Sequence, residues 1–326
     1  MSKELEALQT YFDLMSTNGM SYVFKIASEV GVFNTLASNK ELSGKSIAKK
    51  LDLLEYPTCV LCDALVEMNV LTKNSEQYSL TPVMHFLSGN YQNLSSEYWE
   101  HFPHFLKTGE PFKKMDTTTD SEKEYQVQVK ALEWMMGPCA KMAQTHAKEL
   151  LDNIENVLDL GCGSGVWSMA FLQDKNPTRD TLVDWPAVLK VALDSAKSQG
   201  FTNQIETIEG NFHEANLKED FYDLAILGNV THIETPKGCQ DLFNKSFKSL
   251  KSGGALVIHD VYGTHPKGEI PRLLYRLGLS VRTVQGRVHT PDEMRPWLEK
   301  AGFTRFEFKS LDVTPYSMGS FYAFKP

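Results

Sequence analysis

The sequence predicts an α/β protein of two domains, with a mostly helical N-terminal region followed by a doubly wound, mostly parallel sheet. Beyond residue 155, short apolar segments typical of buried strands alternate with segments of helical periodicity. The first of those apolar segments, Val157–Leu160, runs directly into a glycine-rich turn, Gly161–Gly165. The chain has 326 residues, more than one hydrophobic core usually serves, which also favours two domains.

Composition argues against several classes of protein. The chain is 42% hydrophobic with a formal net charge of −8, whereas a non-specific nucleic-acid binder is expected to be basic. Its five cysteines form an odd, scattered set, which indicates a reducing compartment rather than a disulfide framework. The N-terminus is polar and acidic, unlike a secretory signal, and no apolar run is long enough to span a membrane. We therefore expect a cytoplasmic protein without a membrane segment and, since no metal-ligand spacing is present, without a metal.

Residues 1–115 predict a domain of short helices that carries a winged-helix pattern. Two helical segments, Ser43–Leu51 and Tyr56–Met68, are typical of a helix-turn-helix. The segments Val70–Leu71 and Tyr78–Thr81 would then form a small β-wing. The second helix contains no Lys or Arg, although a groove-reading helix needs base and phosphate contacts. The pattern therefore favours a dimerisation and lid domain over DNA recognition.

Residues 116–150 predict a connector helix, and residues 151–326 predict the sheet domain. An acidic, threonine-rich stretch begins the connector, and helical spacing then runs from Tyr125 to Leu151. Helices fall between the first five predicted strands, and another covers Asp292–Ala301. The last two strands are too close together for a helix between them, so one of the two is expected to run antiparallel. The predicted strands are Val157–Leu160, Thr181–Asp184, Ile205–Glu209, Asp223–Leu227, Ala255–His259, Phe306–Leu311 and Ser320–Phe324.

The glycine turn and two later strand ends predict one ligand site. Asp184 ends the second strand, about 20 residues past the turn, where a carboxylate can accept both hydroxyls of a ribose. The turn has the spacing G-x-G-x-G instead of the dinucleotide G-x-G-x-x-G, and Asp159 before it would repel a pyrophosphate but suit an ammonium group. After the third strand, Phe212 could stack on adenine and Asn211 could hydrogen-bond to it. Together these features favour S-adenosyl-L-methionine (SAM) as the ligand.

On these motifs the second half resembles a class I SAM-dependent methyltransferase, and the whole chain resembles the family of plant caffeate and bacterial small-molecule O-methyltransferases. Further matches are Thr108–Phe112, Met136 within a helix motif, Gly253–Gly254 before the fifth strand and Ala301–Phe303 after the last helix. The resemblance implies a Rossmann-like, seven-stranded catalytic domain, a winged-helix domain that forms a homodimer, and methyl transfer to a small molecule. The residues expected to contact SAM are Asp159, Gly161, Gly163, Asp184, Trp185, Asn211, Phe212 and Asn229.

Members of this family place a general-base histidine after the fourth strand, and His232 falls on that position. A neutral imidazole suits the removal of a hydroxyl proton, and ligands meet this fold at the strand ends. Plant members orient the histidine with two glutamates. Asp260, at the end of the fifth strand, matches one of them, whereas Val288 stands at the position of the other. Candidates for the missing group are His213, Glu234 and Glu269.

The distribution of arginine raises the possibility of an anionic acceptor. The chain has seven arginines against 26 lysines, and four of them fall in the segment that caps the pocket in this family, namely Arg272, Arg276, Arg282 and Arg287. Arginine suits bidentate recognition of a carboxylate, although Arg272 and Arg276 could equally form a solvated helix face. The expected substrate contacts are Tyr125, Gln128, Met136, Arg272, Arg276 and Arg282.

O-methylation with His232 as general base is the favoured reaction, and two alternatives stay open. Methylation of a sulfur or carbon atom in a small acid, such as a thioether acid, would explain the missing second carboxylate, because a thioether has no proton to lose. A non-catalytic, SAM-binding winged-helix regulator is the alternative from a different class.

Overall fold

A computed structural model of the chain describes residues 2–84, 96–173, 178–262, 269–311, 313 and 318–326, without the side chains at positions 96, 118–121, 127 and 131. The chain forms two compact units, residues 1–89 and 90–326. The sequence pattern predicted a boundary after residue 115 instead. Residues 96–116 group with the second unit because they pack on it: the N–H groups of Phe112 and Met115 donate to the carbonyl oxygens of Val281 and Arg282, at 2.8 and 2.9 Å.

The first unit packs helices against a small antiparallel sheet, in which the strand order is β1-β3-β2. Its described elements are α1 (Lys3–Glu29), α2 (Val32–Ala37), β1 (Leu42–Ser43), α3 (Gly44–Leu51), α4 (Glu55–Glu67), β2 (Leu71–Asn74) and β3 (Gln77–Leu80). Its core consists of buried side chains that include Val32, Leu36, Ile47, Leu65 and Tyr78. Helices α3 and α4 and the hairpin β2–β3 lie at the positions predicted for the helix-turn-helix and its wing, and the winged-helix interpretation stays a prediction.

Helix α1 exposes a row of apolar side chains in the described part of the chain. Leu8, Tyr11, Phe12 and Met15 are each between 51% and 58% exposed. A helix of 27 residues with so many exposed apolar side chains is typical of a surface that binds another protein.

The second unit is a seven-stranded sheet with helices on both faces. Its strands are β4 (Asn156–Leu160), β5 (Arg179–Asp184), β6 (Ile205–Glu209), β7 (Tyr222–Gly228), β8 (Leu250–Val261), β9 (Arg305–Leu311) and β10 (Met318–Phe324). Its described α-helices are α5 (Ser96–Thr108), α6 (Thr118–Leu150), α7 (Val166–Leu172), α8 (Pro186–Gln199), α9 (Pro236–Ser249), α10 (Glu269–Arg282) and α11 (Pro291–Ala301). Short 3-10 turns cover Thr202–Gln204 and Thr231–Ile233.

The strands follow the order β6-β5-β4-β7-β8-β10-β9. Strand β10 runs antiparallel to both β8 and β9, whereas β4 pairs in parallel with β5 on one side and with β7 on the other. The predicted seven-stranded sheet is therefore confirmed, including one antiparallel strand among the last two. The direction of chain progression reverses at β4, and in open sheets of this kind a ligand crevice forms beyond the carboxyl ends of the strands at that point.

Each face of the sheet buries its own apolar cluster. One cluster combines sheet residues with Cys139 and Ala143 of α6 and Trp167 of α7. The other combines sheet residues with Phe243 of α9 and Leu298 of α11. Helix α6, the predicted connector, is thus a part of the sheet domain's core. Among the described helices, none combines the length and the apolar character that crossing a membrane requires.

Candidate active site

The turn after β4 forms one side of a cavity at the carboxyl ends of the strands. Gly161 has φ +72°, and a Cβ atom there would lie 2.7 Å from Cγ2 of Val230. Gly163 has φ +57°, and its N–H donates to Oδ2 of Asp184 at 2.8 Å. Both glycines line the cavity. Because glycine adopts these conformations without strain, the turn brings the backbone close to a ligand and joins it to the end of β5.

Asp184 ends β5 and presents its carboxylate to the same cavity. Its Oδ1 accepts the N–H of Trp185 at 2.8 Å, and carboxylate oxygens can accept more than one hydrogen bond. Burial raises the pKa of Asp184 to about 6, although two backbone hydrogen bonds oppose the rise. The group is therefore mainly ionised at neutral pH and can accept hydrogen bonds from the hydroxyls of a ribose. Trp185 also lines the cavity.

The turn after β6 brings Phe212 to the cavity but not Asn211. The ring of Phe212 lies across from the glycine turn, 3.4 Å from the position that a Cβ at Gly161 would take. The carboxamide oxygen of Asn211 instead accepts the N–H of His213 at 2.9 Å, which stabilises the turn itself. Asn211 does not line the cavity, so its predicted hydrogen bond to adenine stays a prediction.

Lys245 of α9 forms hydrogen bonds with the backbone of the same turn. Nζ of Lys245 donates to the carbonyl oxygens of Phe212, His213 and Ala215, at 2.9, 2.6 and 2.8 Å. Hydrogen bonds from a charged donor are stronger than those between neutral groups. Partial burial of the ammonium group lowers the pKa of Lys245. Sequence spacing carried no sign of this contact, since Lys245 lies on a separate helix and follows the turn by 30 residues or more.

These side chains fit SAM on observations of the structure itself. The glycine turn has no room for a side chain at Gly161, so the backbone there is open to close approach by a ligand. The glycine turn would hold the methionine part of SAM, Asp184 would hold the ribose, and Phe212 would stack on adenine.

Strand β7 ends in a left-handed residue that also lines the cavity. Asn229 has φ +62°, which asparagine adopts more readily than most residues, and its N–H donates to the carbonyl oxygen of His259 at 2.9 Å. A Cβ at Gly228 would collide with Trp167, whose ring stacks on His259 at 4.2 Å. Burial lowers the pKa of His259 to about 3, so this histidine is neutral and supports the cavity wall.

His232 and Asp260 form a buried pair beside the cavity. Nδ1 of His232 lies 3.1 and 3.0 Å from Oδ1 and Oδ2 of Asp260, and His232 lines the cavity at 6% exposure. Asp260 is fully buried, and it also accepts the N–H of Val261 at 2.7 Å and the hydroxyl of Thr231 at 3.3 Å. The carboxylate thus contacts Nδ1 and makes no contact with Nε2.

The three candidates for a second supporting group are occupied elsewhere. Nε2 of His213 lies 2.9 Å from Oε1 of Glu234, so these two side chains pair with each other. Glu269 pairs with Arg272 at the start of α10. Val288, at the position of the second family glutamate, is buried and apolar. Asp260 is therefore the one carboxylate that the described residues place on His232.

Helix α10 brings Arg282 to the cavity but not Arg272 or Arg276. Tyr275, Leu279 and Arg282 line the cavity at positions i, i+4 and i+7. Arg276 is exposed, since each residue of a helix is turned by about 100° from its neighbour. Arg272 lies nearer the start of the helix, where Nε donates to Oε2 of Glu269 at 3.0 Å. The predicted substrate contacts by Arg272 and Arg276 are thus not supported by their placement.

The connector helix α6 supplies the opposite wall. Tyr125, Gln128 and Met136 line the cavity at the positions named from the sequence. Oε1 of Glu122, at the start of the same helix, accepts the N–H of Ala187 at the N-terminus of α8, at 3.0 Å. This bond ties the wall to the helix that follows Asp184 and Trp185. Apolar side chains complete the wall, among them Met115, Val129, Leu132 and Met135.

Asp159 lies under the glycine turn and outside the cavity lining. It shares a face of the sheet with Asp180, since Asp159 is opposite Leu182 and Val157 is opposite Asp180. Both carboxylates are fully buried, and Ser168 is the residue whose hydrogen bonding opposes the effect of burial on their pKa values. Burial raises the pKa of Asp159 to about 7 and the pKa of Asp180 well above its usual range. The predicted contact of Asp159 with an ammonium group is thus not supported.

Replacing Asp180 with asparagine should stabilise the protein at alkaline pH and have little effect at acid pH. A carboxyl group whose pKa is raised by folding contributes stability below its unfolded pKa and loses that contribution as the pH rises through its folded pKa. Asparagine resembles the protonated acid and cannot ionise. The Tm of Asp180→Asn should therefore rise by about 2–5 °C near pH 8 and stay close to that of the native protein near pH 4.5.

Thermal denaturation across this pH range would measure the effect, with Asp194→Asn as the matched control because Asp194 is exposed on α8. A shift of equal size at every pH would contradict the ionisation argument.

Replacing Lys245 with methionine should weaken the binding of S-adenosylhomocysteine, the demethylated form of SAM. Methionine keeps the apolar stem but leaves the carbonyl oxygens of Phe212, His213 and Ala215 without their charged donor, so the turn that carries Phe212 loosens. The Kd should rise by about tenfold, because hydrogen bonds from charged groups contribute roughly 1.5–3 kcal/mol each and the turn relaxes only in part. Calorimetric titration needs no acceptor. Lys237→Met, at an exposed position of the same helix, should bind normally, and an unchanged Kd for Lys245→Met would refute the role of Lys245.

Two domain models match the chain in order. A model described as the O-methyltransferase dimerisation domain matches residues 12–88, and a model described as the O-methyltransferase domain matches residues 93–304.

Curated relatives carry the same activity in their names. Acetylserotonin O-methyltransferase of Bos taurus is 34% identical over 148 residues, which are 45% of this chain and 42% of the bovine protein. The Homo sapiens enzyme is 32% identical over 152 residues, 46% of this chain and 43% of its own length. The matched segment thus spans less than half of these two relatives. The 3-hydroxy-5-methyl-1-naphthoate 3-O-methyltransferase of Streptomyces sahachiroi is 23% identical over 291 residues, 85% of this chain and 84% of that protein.

Solved structures show that the fold is shared over the whole chain. Human N-acetylserotonin methyltransferase in complex with SAM aligns with a TM-score of 0.72 at 22% identity, over 100% of this chain and 98% of that one. PigF with S-adenosylhomocysteine aligns with a TM-score of 0.74 at 17% identity, over 100% of both chains.

SAM is the methyl donor of the matched family, so the cofactor predicted from the glycine turn and Asp184 is confirmed. The two domain models match in order and together cover most of the sequence. The chain therefore belongs to the family of SAM-dependent O-methyltransferases that its motifs resemble.

Proposed function

We propose that this protein transfers the methyl group of SAM to a hydroxyl group of a small, largely apolar acceptor, with His232 as the general base. The observation that carries the proposal is the buried pair of His232 and Asp260, with 3.0 Å between Nδ1 and Oδ2. The pair lies at the edge of a cavity that is also lined by six of the eight predicted SAM residues, namely Gly161, Gly163, Asp184, Trp185, Phe212 and Asn229. A bound acceptor would lie between this pair and the wall formed by α6.

Each residue has a definite task in this proposal. Bound SAM supplies a methyl group that is already activated on a sulfonium ion. The chain must therefore align the acceptor and remove its proton. Asp260 accepts the Nδ1 proton of His232, which fixes the tautomer in which Nε2 is unprotonated. Nε2 can then take the hydroxyl proton of the acceptor, and Asp260 stabilises the imidazolium that results.

The cavity wall favours a flat, apolar acceptor. Met115, Leu132, Met135 and Met136 present apolar surface on the connector side, and the thioether side chains of methionine adapt to aromatic rings. The Streptomyces relative, by its name, methylates the hydroxyl of a naphthoate, and it matches most of the present chain. We infer that an aromatic hydroxy compound is the acceptor class for this protein as well.

Arg282 supports an acceptor that also carries a carboxylate. The side chain lines the cavity, is only 8% exposed, and has its guanidinium carbon 6.0 Å from the ring centre of Tyr275. Nε donates to the carbonyl oxygen of Gly278 within the same helix at 3.0 Å, which fixes the direction of the guanidinium group. A fixed guanidinium at a mostly apolar wall is suited to a planar carboxylate.

We further propose that the protein acts as a homodimer in the cytoplasm. The dimerisation model covers residues 12–88, and within that region α1 exposes Phe12, Met15 and Tyr22, which are 54%, 53% and 57% exposed. A second copy of the chain would cover this apolar surface.

The variant His232→Ala tests the proposed base. Methyl transfer to a hydroxynaphthoate should fall by about a hundredfold to ten-thousandfold, the range that general-base catalysis contributes. Binding of S-adenosylhomocysteine should stay normal, because His232 is needed for the acceptor's proton and not for the cofactor. Transfer of the labelled methyl group from SAM would be measured at saturating SAM, with His101→Ala as a control because His101 is outside the cavity lining. Near-normal turnover of His232→Ala would refute the general base.

The variant Arg282→Met tests the anionic acceptor. Its KM for hydroxynaphthoates should rise by about tenfold to a hundredfold, the loss expected for charge-assisted hydrogen bonds, while the KM for the corresponding naphthols changes little. Arg276→Met is the matched control, since Arg276 lies on the same helix and is exposed. Equal losses for the acids and the naphthols would mean that Arg282 supports the wall and does not bind a carboxylate.

A further inference from the structure

His232 has one carboxylate partner among the described residues, and a tyrosine contacts the face of its ring. His232 is 6% exposed, and Tyr275 of α10 contacts it. The hydroxyl oxygen of Tyr275 lies 3.4 Å from Nδ1 and 3.3 Å from Nε2 of His232. The two ring planes stand at 87° with their centres 5.7 Å apart.

These distances place the hydroxyl over the face of the imidazole. An oxygen in the ring plane at such distances from both nitrogens would collide with the carbon atoms between or behind them. The angle of 87° between the ring planes supports this position, because a phenol perpendicular to the imidazole directs its hydroxyl at the face of that ring. In this position the hydroxyl competes neither with Asp260 for Nδ1 nor with an acceptor for the in-plane lone pair of Nε2.

We propose that Tyr275 is the second positioning residue of the general base, in place of the carboxylate that Val288 does not provide. The inference rests on the proposed function, since it assigns a role to Tyr275 only if His232 is the base. The hydroxyl holds the ring against rotation about its Cβ–Cγ bond. It can also turn its oxygen toward the ring when His232 takes a proton, so that its lone pairs face the positive charge.

The surroundings of His232 allow the effect of this hydroxyl to be isolated. Asp260 is the carboxylate in contact with the ring. Other titratable or charged groups stand on the cavity wall or behind Asp260, and the variant Tyr275→Phe changes none of them; they are Tyr125, Cys162, Asp184, Cys239, Tyr262 and Arg282. A change in the pH profile of a variant at Tyr275 therefore reports on the contact between Tyr275 and His232.

The test is the variant Tyr275→Phe, which removes one oxygen and keeps the ring. With a hydroxynaphthoate as the acceptor and saturating SAM, kcat should fall by about fivefold to tenfold, the effect of one lost hydrogen-bond-like contact in the transition state. The KM for the acceptor should change by less than about twofold, because the contact is made to His232 and not to the acceptor. The acid limb of the kcat profile should move to lower pH, since the imidazolium loses an oxygen that stabilised it.

Tyr322→Phe is the matched control. Tyr322 is a buried tyrosine of β10 whose hydroxyl donates to the carbonyl oxygen of Ala143 at 3.2 Å, away from His232. This variant should lose thermal stability and keep the native pH profile. An unchanged kcat and profile for Tyr275→Phe, a fall in kcat without a shift of the profile, or a change confined to KM would each overturn the proposal. The variant His232→Ala separates the two failures, because an inactive His232→Ala beside a normal Tyr275→Phe refutes the role of Tyr275 alone.

Discussion

The parallel pairing of β4 with β5 on one side and with β7 on the other is the constraint on which the candidate site depends. Because parallel strands end at the same edge of a sheet, this pairing gathers residues that are far apart in the chain. It sets the glycine turn after β4 beside Asp184 at the end of β5, joined by the bond from the N–H of Gly163. Strand β8 extends the same edge, and the register that pairs Gly228 with His259 brings His232 to Asp260 across 28 residues of sequence. A register shift of one residue would turn Asp260 to the other face of the sheet and leave His232 without its partner.

The parts of this arrangement that follow from local chemistry were predictable from the sequence. Apolar runs and the positions of turn glycines depend on neighbouring residues, so all seven strands were predicted, although most of their ends differ. The largest difference is in β8, which begins at Leu250 and not at Ala255. Helix α10 shows the limit of this reasoning. The arginine count drew attention to Arg272 and Arg276, whereas helical spacing from Arg282 leads to Leu279 and Tyr275, the residues that share its cavity face. That spacing was readable in the sequence, and it would have identified Tyr275.

The hydrogen-bond partners of several side chains could not be predicted from the sequence, because they depend on which donors and acceptors tertiary packing brings together. Asn211 follows the third strand of the motif, but its carboxamide oxygen accepts a hydrogen bond within the turn and its side chain does not line the cavity. Asp159 sits in the motif that identifies the site, yet the packing of the sheet buries its carboxylate. Lys245 carries no motif, and only the packing of α9 behind the turn after β6 gives it three carbonyl oxygens to bind. Backbone positions at strand ends are thus set by periodicity, whereas hydrogen-bond partners are set by tertiary packing.

The buried carboxylates of the sheet domain also bear on which atom receives the methyl group. Asp159 and Asp180 are buried with Ser168 as their hydrogen-bonding neighbour, and burial shifts both toward the protonated form. Asp260 is equally buried, but it accepts hydrogen bonds from the Val261 N–H and the Thr231 hydroxyl, and Nδ1 of His232 lies beside it. These contacts offset the cost of removing a carboxylate from water. A thioether acceptor releases no proton, so a histidine held by a carboxylate would not increase the rate of methyl transfer to sulfur. For such an acceptor, an apolar wall that aligns the two substrates would be enough. An acceptor hydroxyl must lose its proton, and a histidine held by a buried carboxylate on one nitrogen is suited to remove it. The support built around Asp260 therefore favours oxygen over sulfur as the methylated atom.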